Sequence, residues 1–164
     1  MKILVLSDSH SGLSFMRYAV QRTKPDAIIH LGDYFDDGEA LAKTFGHITI
    51  HQVGGNCDRH RSYEIRPETL CYALGGVKIL MVHGHNQHVK SGLGGLLSLA
   101  RSTGAQVALY GHTHMADFHI EDGILLLNPG ACGSFSGSVG LLEICDGAVT
   151  DCQILRQADL EDLQ

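Results

Sequence analysis

Two histidines one residue apart, in the motif Gly111-His112-Thr113-His114, directly follow the apolar run 107–110. Side chains at i and i+2 of a strand point to the same side, and a turn opened by Gly111 would allow the two imidazoles to face neighbouring ions. Imidazole is a common metal ligand, but an isolated His-x-His pair is more often a surface pair or a hydrogen-bonded pair. The spacing alone therefore leaves both interpretations open.

Further residues with oxygen or nitrogen ligand atoms stand at the ends of other apolar runs: Asp8 and His10 after 3–6, Asp33 after 27–31, Asn56 after 47–53 and His83 after 77–82. Asp, Asn, Gly and His are also common after strands because they form turns, so each residue alone is weak evidence. Together with the two histidines above, they form a set of oxygen and imidazole ligands without clustered cysteines. Such a set favours an open site for Mn, Fe, Zn, Co or Ni over a closed structural zinc site.

The size of this set predicts two ions rather than one, with one carboxylate shared between them. Paired ions about 3.5–4 Å apart are the arrangement that enzymes use for phosphoryl transfer. Two divalent ions, opposed by Asp8, Asp33 and a bridging hydroxide, would leave about one net positive charge to attract a phosphoryl oxygen. The predicted chemistry is therefore attack of that hydroxide on a phosphate ester.

The hydrophobic pattern predicts elements that would bring these residues together. A strand over 3–6, a helix over 13–22 and a strand over 27–31 form a right-handed parallel unit, which places Asp8 and Asp33 at the same carboxyl edge. The pattern then predicts a helix over 39–45, a strand over 47–53, a hairpin of 71–74 with 77–82, a helix over 93–100 and a strand over 107–110. Antiparallel hairpins follow, of 118–121 with 124–127 and of 139–145 with 148–155, and then an exposed tail over 157–164. This order predicts two packed sheets with helices outside.

Composition limits the class of protein. The chain has 164 residues with 44% hydrophobic and 18% charged residues, which predicts one folded domain over 1–164. A net charge of -6 without a basic run argues against specific nucleic-acid binding. The first apolar run is too short for a signal peptide and no run is long enough to span a membrane, so we expect a cytoplasmic protein. Five cysteines, an odd number, fit a reduced compartment better than a disulfide framework.

The ordered motifs resemble the calcineurin-like metallophosphoesterase family, and most closely its small bacterial and archaeal phosphodiesterase branch. They are Asp8-x-His10, Gly32-Asp33, Gly55-Asn56-Cys57-Asp58, His83-Gly84-His85, Gly111-His112-Thr113-His114 and Asn128-Pro129-Gly130. The resemblance implies an α/β fold, a four-layer α-β-β-α sandwich of two mixed sheets flanked by helices. It implies that Asp33 bridges two ions, one held by Asp8, His10 and His114 and the other by Asn56, His83 and His112. It also implies a small phosphorylated substrate and a divalent cofactor, most simply Mn, with Ni, Co, Fe or Zn as alternatives.

Several neighbouring residues are further candidates for the site. Asp33 and Asn56 are predicted to be catalytic as well as ligating; His85 is predicted to approach the substrate or to support a ligand, and Asp58 to orient a neighbour. Arg59 is a candidate for phosphate binding, although a solvated charged loop is the alternative. Asn128, in a rigid turn, is a candidate for a pocket wall that contacts substrate.

Cys57 is the main departure from the family pattern, because many members carry a histidine there that protonates the leaving oxygen. A thiol, with an ordinary pKa of about 8.5, is a poor replacement for an imidazolium acid at neutral pH. We therefore expect a preference for leaving groups that depart easily as anions, unless His85 supplies the proton.

A different class of function remains open, namely a non-catalytic scaffold or binding module with the same fold, as in the retromer complex. The scaffold has lost consensus ligand residues, whereas all the predicted ligand positions are intact in this chain, which favours an enzyme. The exposed hairpins leave a homo-oligomer open.

Overall fold

The computed structural model describes residues 1–58, 66–133 and 137–163. The first half of the chain contains β1 (Lys2–Leu6), α1 (Leu13–Thr23), β2 (Ala27–His30), α2 (Phe35–Thr44), β3 (Thr49–Gln52), a short 3₁₀ turn (Asn56–Asp58), β4 (Thr69–Leu74) and β5 (Val77–Val82). The second half contains α3 (Gly94–Thr103), β6 (Val107–Leu109), β7 (Asp117–Glu121), β8 (Ile124–Asn128), β9 (Ser138–Cys145), β10 (Ala148–Arg156) and α4 (Gln157–Asp162).

These strands form two five-stranded mixed sheets. The first has the order β10-β9-β1-β2-β3, in which β1, β2 and β3 are parallel and the β9–β10 hairpin pairs antiparallel with β1. The second has the order β4-β5-β6-β8-β7, in which β5, β6 and β8 are parallel and the two edge strands are antiparallel. The prediction of two mixed sheets is confirmed.

The side chains of β1 alternate between two hydrophobic cores, which shows how the layers stack. Ile3 and Val5 pack in the core between the two sheets together with Met81 of the second sheet. Leu4 and Leu6 point the other way and pack against Met16 of α1. A separate core joins the outer face of the second sheet to α3. Because successive side chains of a strand face opposite sides, one apolar run serves two layers, and the four-layer α-β-β-α sandwich is confirmed.

Within the described residues, the tail predicted over 157–164 is mostly exposed, as expected, but it also forms a helix anchored by one buried side chain. Residues 157–162 form α4, in which Leu160 is completely buried. The backbone N–H of Arg156 donates to Asp159 over 2.8 Å, and Nε of Arg22 donates to the carbonyl of Leu160 over 2.8 Å. A helix this short, with one buried apolar residue, has no detectable period, so its docking onto α1 could not be recognised from the local pattern.

Several boundaries also differ from the prediction, among them those of α2 and β3. The helix predicted over 39–45 begins earlier, at Phe35, whose backbone N–H donates to Oδ1 of Asp58 over 2.8 Å. The strand predicted over 47–53 is restricted to Thr49–Gln52. Among the described residues, no helix is both long enough and apolar enough to cross a membrane.

Candidate metal centre

Several predicted ligands lie at strand ends with left-handed backbone conformations. The φ angles are 51° at Asp8, 40° at His10, 55° at Asp33, 68° at His112 and 62° at His114. Such conformations cost non-glycine residues about 1 kcal/mol or more each, and they concentrate at functional sites. These strand ends meet at one edge of the sandwich, so five of the residues with this backbone conformation lie at the predicted site.

Asp8 follows β1 and is completely buried. Its Oδ2 accepts hydrogen bonds from Oγ of Ser7 over 2.6 Å and from the backbone N–H of His112 over 3.0 Å. Its Oδ1 has no hydrogen-bond partner among the described residues, and Nε2 of His114 lies 3.1 Å from it. A buried carboxylate oxygen without a hydrogen bond is costly, so this atom is suited to contact a cation.

Asp33 follows β2 and faces histidines on two sides. Its Oδ1 lies 3.4 Å from Nε2 of His83, and its Oδ2 lies 3.9 Å from Nε2 of His10. The backbone N–H of Cys57 donates to Oδ1 over 2.9 Å. Burial raises the pKa of Asp33, but the charge of His83 and hydrogen bonding by Cys57 outweigh it, so the pKa lies below its usual value. Asp33 is thus a carboxylate whose two oxygens serve two sides of the site.

His83 follows β5 and has a defined ring orientation. Its Nδ1 lies 2.8 Å from the carbonyl oxygen of Leu31, which is an acceptor, so the proton of the neutral ring belongs on Nδ1. The lone pair of Nε2 then faces Oδ1 of Asn56 at 3.1 Å. Acceptors that converge in this way without a proton between them are satisfied by a divalent cation, and a second ring nitrogen bound to a carbonyl is typical of histidine ligands.

The imidazoles form two neighbouring pairs. The ring centroids of His10 and His114 are 5.3 Å apart, and those of His83 and His112 are 5.0 Å apart. Burial and then the charges of His83 and Lys90 lower the pKa of His112, which favours the neutral ring that binds metal.

Two sets of residues without sulfur have potential ligand atoms that all lie within 4.8 Å of one another: Asp8, His10 and His114 in one set, and Asp8, Asp33 and His83 in the other. Both sets combine carboxylate oxygens with imidazole nitrogens, the donors that suit first-row divalent ions. The residues present therefore fit divalent metal ions.

Comparison with known proteins places this cluster in a family. The model of the calcineurin-like phosphoesterase superfamily domain matches residues 1–147. The chain belongs to this superfamily. This is a superfamily of phosphoesterase domains that use divalent metals, which agrees with the carboxylate and imidazole cluster at the sheet edge.

Two relatives support this membership. A probable metallophosphoesterase of Bacillus subtilis is 31% identical over 133 residues, which make up 80% of this chain and 75% of the relative. A phosphodiesterase of Methanocaldococcus jannaschii is 27% identical over 163 residues, covering 89% of this chain and 93% of the relative.

Solved structures share the fold. A predicted phosphoesterase from Streptococcus pneumoniae is 30% identical with a TM-score of 0.79, over 96% of this chain and 90% of the other. Vps29 from Entamoeba histolytica, solved in complex with Zn²⁺, is 22% identical with a TM-score of 0.70, over 95% of this chain and 99% of the other. The second likeness concerns the fold alone.

The phosphoesterase chain also contains predicted site residues that support others. Both carboxylate oxygens of Asp58 accept backbone N–H groups, Oδ1 from Phe35 over 2.8 Å and Oδ2 from Gly55 over 2.7 Å. Asn128 is completely buried; its Nδ2 donates to Oγ1 of Thr113 over 2.9 Å and to the carbonyl of Gly111 over 3.2 Å. Asp58 therefore holds the loop of Asn56, and Asn128 holds the loop of the two histidines.

Of the two remaining predicted residues, His85 and Arg59, the structure describes only His85. The ring of His85 lies beside the cluster, with its centroid 5.5 Å from that of His83 and 6.2 Å from that of His112. Arg59, predicted to bind substrate, lies outside the described residues, as do His60 and Arg61.

The sequence interpretation missed residues that position the predicted ligands. Oδ2 of Asp37 accepts a hydrogen bond from Oγ of Ser9 over 2.7 Å and from the backbone N–H of Ser11 over 2.9 Å, and so holds the loop that carries His10. The ring of Tyr34 packs edge-on against His10 at 5.1 Å. The available signal was the acidic first turn of α2, which is equally typical of an ordinary helix start.

Glycine is required where backbone passes close to the carboxylates. A Cβ at Gly111 would collide with Oγ of Ser7 and lie 2.7 Å from Oδ2 of Asp8. A Cβ at Gly55 would collide with Oδ1 of Asp33. These glycines allow two loops to approach the carboxylates that the predicted ions would need.

Proposed function

We propose that this protein is a metal-dependent phosphodiesterase that uses two divalent ions to hydrolyse a small phosphorylated substrate. The observation that carries the proposal is the position of Asp33, whose two oxygens face His83 and His10 separately. A carboxylate in that position suits a bridge between two ions.

The proposed ligand sets follow the two halves of the cluster. Asp8, His10 and His114 would hold one ion, Asn56, His83 and His112 the other, and Asp33 both. The proximity of the first three ligand atoms supports the first set. The approach of Nε2 of His83 to Oδ1 of Asn56, at 3.1 Å, supports the second. Mn suits the carboxylate and amide oxygens of the set, while Ni, Co, Fe and Zn also suit its imidazoles.

The protein's own groups would orient the reaction. When bound, the ions would supply positive charge for the phosphoryl oxygens and acidify the attacking water. Ser7 and the His112 backbone hold one oxygen of Asp8, so the other remains directed at the cluster. The carbonyl of Leu31 fixes the ring of His83. Because these contacts exist before substrate arrives, the charged site is preorganised.

The roles of the surrounding residues are part of the proposal. His85, beside His83 and His112, would approach the substrate. Asp58 would act through the backbone of Gly55, which precedes the ligand Asn56. Arg59 would bind phosphate, and Asn128 would contribute to the substrate pocket through the loop of His112 that it holds.

The choice of a diester rests on charge and on a relative. Two ions opposed by two carboxylates and a hydroxide leave about one positive charge, which suits the single negative charge of a phosphodiester. The relative from Methanocaldococcus jannaschii bears the name phosphodiesterase.

A scaffold function is the second candidate, because the fold likeness extends to Vps29. A scaffold would not need a buried Asp8 oxygen without a hydrogen bond or the set of strained ligand residues around it. The enzyme is therefore favoured.

One experiment separates the candidates. Protein stripped with a chelator is reloaded with Mn, Ni, Co, Fe or Zn in turn, its metal content is measured, and hydrolysis of an aryl phosphodiester is compared with that of the matching monoester. An Asp8→Asn variant purified in parallel controls for contaminating hydrolases. About two ions per chain with faster hydrolysis of the diester support the proposal. Metal binding without hydrolysis of either ester supports the scaffold, and a chain that binds no metal contradicts the proposed centre.

A further inference from the structure

Cys57 lies beside the metal cluster. Its ligand atom, Sγ, lies in a group with His10 and Asp33 in which the potential ligand atoms are all within 4.8 Å of one another. Cys57 is the second residue of the short 3₁₀ turn and is accessible to solvent. A thiol at this place can be reached both by an ion and by solvent.

The position of the sulfur is held by the same residues that form the cluster. The backbone N–H of Cys57 donates to Oδ1 of Asp33 over 2.9 Å, and Nδ2 of Asn56 donates to Sγ over 3.4 Å. A thiolate accepts such a hydrogen bond readily, because it carries the negative charge. The turn therefore places the sulfur at the cluster, with Nδ2 of Asn56 already positioned as its hydrogen-bond donor.

A second observation shows that this corner of the cluster lacks partners for its polar atoms. Nε2 of His10 is buried and has no hydrogen-bond partner among the described residues. The same is true of Oδ1 of Asp8, a residue with no exposed surface, which shares a ligand group with His10. His10 shares a ligand group with the thiol, and Asp8 shares the neighbouring group with His10, so both unsatisfied atoms lie where an added cation would be stabilising.

We infer that Cys57 is a conditional ligand of the ion beside His10 and Asp33, coordinated by thiophilic ions such as Zn²⁺, Co²⁺ or Cd²⁺ and not by Mn²⁺. The inference rests on the proposed function, because it concerns the same centre. Coordination forms a metal–sulfur bond, and the thiol proton passes to solvent with no change of oxidation state. Thiolate is a soft ligand, whereas Mn²⁺ prefers oxygen, so the same three-residue turn would bind the two kinds of ion differently.

The distances make this coordination attainable by small movements. A tetrahedral ion with a sulfur at about 2.3 Å and a nitrogen at about 2.0 Å needs ligand atoms about 3.5 Å apart. Atoms that already lie within 4.8 Å of one another need to approach by about 1.3 Å at most, and Cys57 lies on an exposed turn. Because sulfur would then occupy a coordination position, a thiophilic ion would be retained more tightly and would leave less room for water or substrate. Cys57 would thus determine which metal supports activity.

Cobalt spectroscopy tests the bond directly. Chelator-treated wild type, Cys57→Ser and Cys145→Ser are each loaded with Co²⁺. Cys145 is the control because it is also an exposed cysteine and lies in β9 at the opposite end of the sheet, where Cys145 pairs with Ala148. Visible d–d bands report that cobalt is bound, and a near-ultraviolet charge-transfer band reports a bond to thiolate.

The inference expects d–d bands in all three proteins and a charge-transfer band in wild type and Cys145→Ser that is absent from Cys57→Ser. X-ray absorption of the Zn²⁺ form should show a sulfur neighbour at about 2.3 Å that disappears in the same variant. A wild type with d–d bands but no charge-transfer band, or a band that persists in Cys57→Ser, overturns the inference while the metal centre stands. A wild type without d–d bands overturns the proposed centre itself.

Competition between ions provides a second measurement. The ratio of Zn²⁺ to Mn²⁺ affinity, determined with a chelating indicator, should fall at least about tenfold in Cys57→Ser, since even partners outside the coordination shell change metal affinity by that amount. Cys145→Ser should keep the ratio of the wild type. An unchanged ratio in Cys57→Ser overturns a role of the thiol in metal choice.

Discussion

The backbone N–H of His112 donates a hydrogen bond to Oδ2 of Asp8 over 3.0 Å, which joins residues 104 positions apart in the chain. The other oxygen of Asp8 is left facing Nε2 of His114 at 3.1 Å. One oxygen of this carboxylate therefore holds the backbone of the His112 loop, and the other is available to a cation. Changes at this edge of the sandwich are expected to affect metal binding and loop position together.

Replacement of the proposed bridge, Asp33→Asn, should reduce kcat/KM far more than replacement of any ligand of a single ion. The change removes a negative charge shared by both proposed coordination shells, so we expect a loss of at least about 100-fold. The measurement is hydrolysis of an aryl phosphodiester at saturating Mn²⁺, together with metal content. Asp36→Asn is the matched control, because Asp36 is an exposed carboxylate nearby in α2. Activity of Asp33→Asn within about tenfold of the wild type would contradict the two-ion assignment.

His114→Ala should be rescued in part by high Mn²⁺. The side chain of His114 is 49% exposed, so its removal opens no internal cavity and weakens the affinity for one ion by about 10–100-fold. The rate is followed as a function of Mn²⁺ concentration, with His119→Ala on the exposed strand β7 as the control. If no concentration of Mn²⁺ restores any rate, His114 has a role in the chemistry beyond ligation.

Cys57→His should flatten the dependence of rate on the pKa of the leaving group. Burial, and then the hydrogen bond to Asp33 and its charge, raise the pKa of Cys57 to about 11 in the metal-free site, which makes the thiol a poor acid near neutral pH. An imidazole at the same position would restore a proton donor, worth about 10²–10⁴-fold for poor leaving groups. A series of aryl and alkyl phosphodiesters provides the slope.

His85→Ala provides the comparison for the same series, because its ring also lies beside the cluster. A flat dependence in wild type that steepens in His85→Ala would assign the acid to His85 instead. Identical slopes in wild type, Cys57→His and His85→Ala would show that neither residue donates the proton.

His30 should make the protein less stable as the pH falls. Burial lowers the pKa of His30 from 6.5 to about 4, outweighing the opposing charges of Asp58, Asp37 and Asp8. The unfolded chain takes up a proton below pH 6.5 before the folded chain does, so this contribution is complete above 6.5 and is lost as the pH falls through about 4. The free energy of unfolding should fall by up to about 1.4 kcal/mol per pH unit in this window from His30 alone.

Urea unfolding of the chelated protein at several pH values measures this slope. His30→Leu should have a shallower slope than the wild type between pH 6.5 and about 4. His47→Leu is the control, because the side chain of His47 is exposed in the folded state. Equal slopes for the wild type and His30→Leu would show that His30 does not remain neutral in the fold.

The sequence by itself determined the sheets and the order of the proposed ligands. Apolar runs such as 3–6 and 27–31 are local and continuous, and in the parallel units of such strands the carboxyl ends meet at one edge. Polar residues that follow those runs therefore had to lie near one another, which is why Asp8 and Asp33 could be placed together. The family motifs then indicated which residues belong to one site.

Only the tertiary structure decided how each of those residues is held. The carboxylate of Asp58 accepts hydrogen bonds from the backbone N–H groups of Gly55 and Phe35, and Asn128 donates one to Thr113. The side chain of Leu160 in α4 is buried, and its carbonyl accepts a hydrogen bond from Arg22. Most of these contacts join residues that are distant in the chain, and no local period encodes such a pair. Hydrogen-bond partners and the burial of a short helix depend on which surfaces the packed layers bring together, so they become defined only when the sandwich has formed.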